Sequence, residues 1–305
     1  MRLRSLLAHQ PLIIKLLAIF MISVTGLVVG VMVSSAVCSH MADAGHDEVS
    51  CLIVEQGILS IISFAIAGYA CIYMTQTRVR EVFEARGMTM VAVAIPAVVA
   101  IIASTPFINQ LTVWNEAMVL PESMKEIEEM IRSMEDTAND LTMQFLSRTS
   151  FADFAVNLFV LALIPAIGEE LMFRGAIQGT LTESGCNRHV AVILTSVLFS
   201  AIHFQFYGFL PRMALGMILG YAYLWSGTIW VPSLMHFINN AIVVAAAYVI
   251  SLTNPEALTE ETMGEVDAIG TGCILIPLLS LAVVVGMMYV IKRHYDTART
   301  GEMWW

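Results

Sequence analysis

Eight stretches of this chain run for about 18 residues or nearly so with almost no charge, the length that crosses a bilayer as a helix. They lie at 11 to 36, 52 to 75, 89 to 108, 151 to 176, 189 to 206, 211 to 226, 229 to 253 and 269 to 291. Backbone N–H and C=O groups have no water to bond in hydrocarbon, so each stretch must bond to itself as a helix. Over 305 residues, 58% apolar and 13% charged side chains cannot clothe a soluble surface. The expected fold is therefore all-α, a polytopic membrane bundle of about eight transmembrane helices. The first stretch is too long for a signal core, which runs about 7 to 15 residues, and reads as a retained signal anchor.

Basic residues set the orientation, because Lys and Arg stay on the cytoplasmic side. An even number of spans puts both termini on one side. Placing them in the cytoplasm leaves Arg2, Arg4, Lys15, Arg78, Arg80, Arg86, Arg188, Lys292, Arg293 and Arg299 inside, against Lys125, Arg132, Arg148 and Arg212 outside. The expectation is a cell (inner) membrane protein with N- and C-termini cytoplasmic. Its net charge of -10 then falls mostly outside, at 43 to 48, 122 to 140 and 256 to 267.

One polar insertion interrupts the pattern. From 121 to 148, Met124, Ile127, Ile131, Met134, Ala138, Leu141 and Phe145 recur at three- and four-residue steps among acidic residues, an amphipathic helix. It could be a lid or docking element; the simpler expectation packs its apolar stripe against the bundle. With no internal repeat and no low-complexity linker, residues 1–305 read as a single membrane domain carrying this extracytoplasmic insertion. Gly216 and Gly220 form a GxxxG pair, which packing explains. Cys38 and Cys51 fall at the outer ends of the first two spans, where a disulfide could join them; the alternative is two buried thiols.

Ionisable groups at membrane depth are costly and mark function by default. Four stand out: Glu169, Glu170, His203 and His236. On a helix Glu170 and Arg174 are four apart and can pair, while Glu169 points about 100° away and stays available. Pro165 and Gly168 loosen the same helix, as irregular backbone beside protein or a wet cavity allows. If the hairpin turns near Cys186, Glu169 and His203 each lie seventeen positions from it and share a depth. His236 and Asn240 are four apart on one face of the seventh span.

These residue types suit amide hydrolysis. A carboxylate beside a histidine can activate water, and a second histidine with an asparagine can meet the oxyanion. Two histidines and one glutamate are equally a catalytic zinc set, Glu169, His203 and His236 being the metal positions; the sequence leaves open which water is used. There is no HExxH. Singly, each feature has a bland reading as an interhelical hydrogen bond or structural ion pair. Their convergence at one depth favours a shared site.

Glu169-Glu170-x-x-x-Arg174, Phe199-x-x-x-His203 and His236-x-x-x-Asn240 together resemble the CPBP family of intramembrane proteases, also called the CAAX protease and bacteriocin-processing or ABI family. The likeness covers roughly residues 150–245, a catalytic core of that type. It implies an intramembrane cavity where Glu169 is the base, His203 its partner or a metal ligand, and His236 with Asn240 oxyanion donors or further ligands. Glu170 and Arg174 would support them. The expected function is an intramembrane endopeptidase, possible Zn2+ included, with membrane lipid and a peptide or membrane-protein substrate as partners and no nucleic acid. A binding or bacteriocin-immunity protein using the same cavity is the alternative. A proton-coupled transporter would need paired broken helices in both halves, and only the fourth span has a Pro-Gly interruption beside carboxylates.

Overall fold

The computed structural model describes residues 4–77, 79–84, 90–253 and 273–300. The acidic stretch 256 to 267, with Arg2, Arg78 and Arg86, lies outside them. Among the described residues nine helices follow one another: α1 (Leu12–Asp43), α2 (Glu48–Thr75), α3 (Met90–Glu116), α4 (Lys125–Leu146), α5 (Phe151–Glu183), α6 (Arg188–Ala201), α7 (Phe209–Ser226), α8 (Trp230–Thr253) and α9 (Leu275–Thr300). Each of the eight apolar stretches falls on a helix, and α4 is the insertion. Six of the helices are long and apolar enough to cross a membrane, and α6 is a shorter apolar one. The protein is a multi-pass helical bundle.

Side chains define the helix starts. Asp47 accepts the Ser50 N–H at 3.0 Å ahead of α2, Ser150 accepts from Asp153 at 3.1 Å ahead of α5, and Asn187 accepts from His189 at 2.9 Å ahead of α6. Each satisfies an N–H that the first turn leaves without a helical partner. The connections sort to two ends of the bundle. At one end Asp47 pairs with Arg148, so the α1–α2 and α4–α5 loops meet. At the other, Lys15 donates to Ser184 at 3.2 Å and the Thr77 N–H donates to Glu183 at 3.0 Å, gathering α1, the end of α2 and the α5–α6 turn. That turn lies at Ser184 to Cys186, where the sequence places it.

Among the described residues, two large apolar clusters make most of the interior. One joins Val93, Ala97 and Ile101 of α3, Leu219 and Ala222 of α7, Met235 of α8 and Val284, Met288 and Ile291 of α9. The other joins Ile19 of α1, Cys71 and Ile72 of α2, Met172 and Phe173 of α5 and Phe199 of α6. Outward faces stay apolar: Ile13, Leu17, Phe20, Leu27, Val28 and Met32 of α1 are all exposed, as lipid contact requires. The polar residues read as functional lie at the seam between the two clusters.

Three π-helical segments interrupt the long helices, at Ile61–Ile66, Leu158–Leu163 and Leu171–Gln178. Such i→i+5 turns concentrate at functional sites. The last two bracket Pro165, Glu169 and Glu170.

α4 departs from the packing expected of it. Met124, Ile127, Met134 and Leu141 of the apolar stripe are exposed, as is Met130, while Ile131, Ala138 and Phe145 are half-buried. The helix turns Glu128 and Glu135 inward instead, because both find hydrogen-bond donors on the bundle. Cys38 and Cys51 are free thiols near the C-terminal end of α1 and the N-terminal end of α2, and the Cys38 thiol donates to the Cys51 carbonyl at 3.2 Å.

Candidate active site

Glu170 is the hub. Its side chain is fully buried, and one oxygen, Oε1, accepts from Arg174 Nη1 at 2.7 Å and from His236 Nδ1 at 2.9 Å. The pairing with Arg174 is the one expected from their spacing; the bond to His236 is an addition. Arg174 is as deeply buried, and its second nitrogen donates to the Gly216 carbonyl at 3.0 Å. One turn on, Gln178 donates to the Gly220 carbonyl at 3.0 Å. The GxxxG pair of α7 is therefore more than a packing notch, because its bare backbone lets two α5 side chains reach main-chain oxygens.

Glu169, on the adjacent face, comes to 3.9 Å from His236 Nε2. That is too far for a direct hydrogen bond. His236 thus has one nitrogen pinned by Glu170 and the other turned toward Glu169. An ionised carboxylate only accepts, so Nδ1 carries the proton shared with Glu170, which turns Nε2 toward Glu169.

His203 stands two residues beyond the end of α6. Its Nδ1 donates to the Phe199 carbonyl at 2.8 Å, which again leaves Nε2 open. The span read as 189 to 206 ends as a helix at Ala201, and residues 202–208 form a loop. Phe204 and Phe206 gave that loop its apolar look. Phe199 organises the neighbourhood: its ring lies edge-on to Phe173, His203 and His236 at centroid distances of 5.1, 5.2 and 6.0 Å, with the Arg174 guanidinium 4.7 Å from its centre. Sequence reasoning placed Phe199 in a motif without giving it a task. Its position four residues before His203 was the available signal.

Asn240 lies one helical turn beyond His236. Pro165 has no N–H to return to the Leu161 carbonyl, and Asn240 Nδ2 donates to that oxygen instead at 3.4 Å. Among the described residues no hydrogen bond links Asn240 to Glu169, Glu170 or His236. The structure thus gathers Glu169, Glu170, Arg174 and His236 directly, brings in His203 through Phe199, and sets Asn240 against the broken turn of α5.

The metal reading needs Glu169, His203 and His236 as one ligand set. Both histidines leave Nε2 for a ligand, yet among the described residues no three His, Cys, Asp or Glu side chains come together closely enough to hold a metal ion.

Residues 151–242 match the family model of the type II CAAX prenyl endopeptidase Rce1-like proteins. The segment includes Glu169, Glu170, Arg174, His203, His236 and Asn240. Among curated proteins, the uncharacterized protein YpbD of Bacillus subtilis (strain 168) is 31% identical over 90 residues, 28% of this chain and 43% of its own. The membrane-embedded CAAX protease MroQ of Staphylococcus aureus (strain USA300) is 34% identical over 111 residues, 34% of this chain and 43% of its own. The chain spans less than half the length of these relatives. No solved structure matches it.

Proposed function

Since residues 151–242 match the Rce1-like CAAX endopeptidase family, we propose that this protein is an intramembrane endopeptidase that hydrolyses peptide bonds of membrane-associated proteins or peptides. The observation that carries the reading is the 3.9 Å gap between Glu169 Oε2 and His236 Nε2, with His236 fixed from behind by Glu170. A single water can bridge such a gap. Glu169 takes a proton from that water as its oxygen bonds to the scissile carbonyl carbon. The proton then passes to the departing amine nitrogen as the C–N bond breaks. Asn240 Nδ2, and His203 Nε2 when that ring is protonated, are the groups able to meet the oxyanion. Glu170 and Arg174 hold His236 without touching the substrate.

The same reading makes residues 150–245 the catalytic core of a single membrane domain, set in the cell membrane with both termini cytoplasmic. MroQ, described as a CAAX protease, supports a membrane-bound polypeptide as substrate. The test is to map new peptide termini by mass spectrometry in membranes from cells making the wild type or Glu169→Ala at equal levels. Termini dependent on Glu169 are expected. Identical termini in both, across several growth conditions, would remove the hydrolytic reading in favour of a binding or immunity protein.

A further inference from the structure

α4 reaches the loop that carries His203. The start of the 202–208 loop bonds back to α6 through the His203 and Phe204 N–H groups, at 3.3 and 3.2 Å, yet Phe204 adopts a φ of 55°, a left-handed conformation that a bulky residue rarely takes unless its surroundings impose it. Those surroundings come from three elements. From α4, Glu135 accepts the Tyr207 N–H at 3.2 Å and Glu128 accepts the Tyr207 hydroxyl at 3.2 Å, while the Arg132 guanidinium lies 4.2 Å from the centre of the Tyr207 ring. From the end of α3, Asn115 donates to the Phe206 carbonyl at 3.0 Å and accepts the Leu210 N–H at 2.7 Å. From the start of α7, Arg212 donates to Gln205 Oε1 at 2.5 Å and faces Glu135 at 3.8 Å.

Glu128, Arg132 and Glu135, on one face of α4, converge on one tyrosine that is itself buried. Ile127, Met130 and Met134 of the same helix stay exposed while Ile131, Ala138 and Phe145 are half-buried, so apolar burial alone does not orient it. Four residues upstream of Tyr207 is His203, whose ring also bonds the Phe199 carbonyl; four residues span at most about 14 Å, so an anchored Tyr207 limits how far His203 can move.

We propose that α4 is a positioning clamp: Glu135 and Glu128, acting through Tyr207, fix the 202–208 loop and so fix where His203 stands. This rests on the reading of His203 as part of the hydrolytic site. Glu135 is then a positioning residue, acting through the loop. What matters at Glu135 is an acceptor for the Tyr207 N–H more than a charge. Burial pushes its carboxyl above the usual range, against the Tyr207 N–H and Arg212, which lower it, and with Asp136, which raises it.

The test uses the full chain in lipid nanodiscs and compares Glu135→Ala, which removes the acceptor, with Glu135→Gln, which keeps one. Hydrogen exchange of the peptide covering 203–209 should quicken by about tenfold in the alanine variant and stay near wild type in the glutamine variant. Glu169-dependent termini should fall roughly three- to tenfold in the alanine variant and return in the glutamine variant. If Glu135→Ala does not fold, Tyr207→Phe, which loses only the bond to Glu128, should quicken exchange in the same peptide. Unchanged exchange in the variant that folds, or faster exchange with full cleavage, would overturn the clamp. A wild type with no Glu169-dependent termini would overturn the hydrolytic reading instead, and exchange still reports on the loop, so the two failures read out separately.

Discussion

His236 Nδ1 lies 2.9 Å from Glu170 Oε1, the same oxygen that Arg174 holds at 2.7 Å. Three ionisable side chains at membrane depth thus share one atom, and none can be removed without stranding another. Arg174→Ala should leave Glu170 a buried carboxylate without its cation, held only by His236, and cost about 3–5 kcal/mol, read as a lower folded yield and lower melting temperature. Replacing the ion pair together, Glu170→Leu with Arg174→Met, should recover most of that loss because no buried charge is left alone. Cleavage should not recover with it, since His236 has lost the group that orients it. A double variant restored in both yield and cleavage would show that the pair serves packing alone.

Glu169 sits beside this network without supporting it. Its side chain is partly accessible and lies 3.9 Å from His236 Nε2. Glu169→Gln should therefore leave folded yield and thermal stability close to wild type while cutting cleavage by about 10²–10⁴-fold, the usual worth of a general base. Treating the wild type with a chelator should leave the residual termini pattern unchanged if the base acts on free water. A pattern abolished by chelation and restored by zinc would move the mechanism to a metal-bound water.

The spans and the four ionisable positions were legible because the membrane prices every backbone and side-chain group the same way along a helix. Glu170 with Arg174 followed from spacing alone. The bond from Glu170 to His236 did not, since it depends on how α5 and α8 rotate against each other across 66 positions of chain. The end of α6 was misplaced for a related reason. Phe204 and Phe206 look like lipid-facing residues, and only Asn115, Glu128 and Glu135 from distant segments reveal that a loop is held there. α4 was visible as an amphipathic helix, but its inward face is set by hydrogen bonds to Tyr207 that periodicity does not register.

Close approach of α2 to α5 depends on Gly68. A Cβ there would stand 2.8 Å from the Met172 nitrogen and 3.0 Å from the Leu171 carbonyl carbon, main-chain atoms that cannot turn aside. Gly68→Ala should push apart the π-helical turn that directly follows Glu169 and Glu170, at about 1–3 kcal/mol, with loss of cleavage. Gly57→Ala is the control on the same helix, where the new methyl meets only Val160 side-chain carbons at 3.6 Å. It should be neutral or stabilising by up to about 1 kcal/mol, from the better helix propensity of alanine. Equal thermal melts for the two variants would contradict the close contact.

Outside the spans, the carboxylates divide by sign. The backbone and side-chain bonds from Ser50 hold Asp47 below its usual range, with Arg148 adding to them, and the bond from Arg132 does the same for Glu128. Each favours the folded state when ionised, so stability from these two is lost as pH falls through and below the ordinary carboxylate range. Burial raises Glu135, which has the opposite effect. The folded protein binds that proton more tightly than the unfolded chain, so stability tied to Glu135 is full below its unfolded pKa and declines as pH rises through the higher folded value. Glu135→Gln carries an uncharged side chain at every pH and should abolish that decline. Subtracting its melting temperatures from those of the wild type between about pH 4 and 7 isolates the contribution, because Asp47 and Glu128 titrate identically in both proteins. The wild type should lose ground to the variant as pH climbs above the ordinary glutamate range. A difference that stays flat, or runs the other way, would mean that Arg212 and the Tyr207 N–H outweigh burial at Glu135.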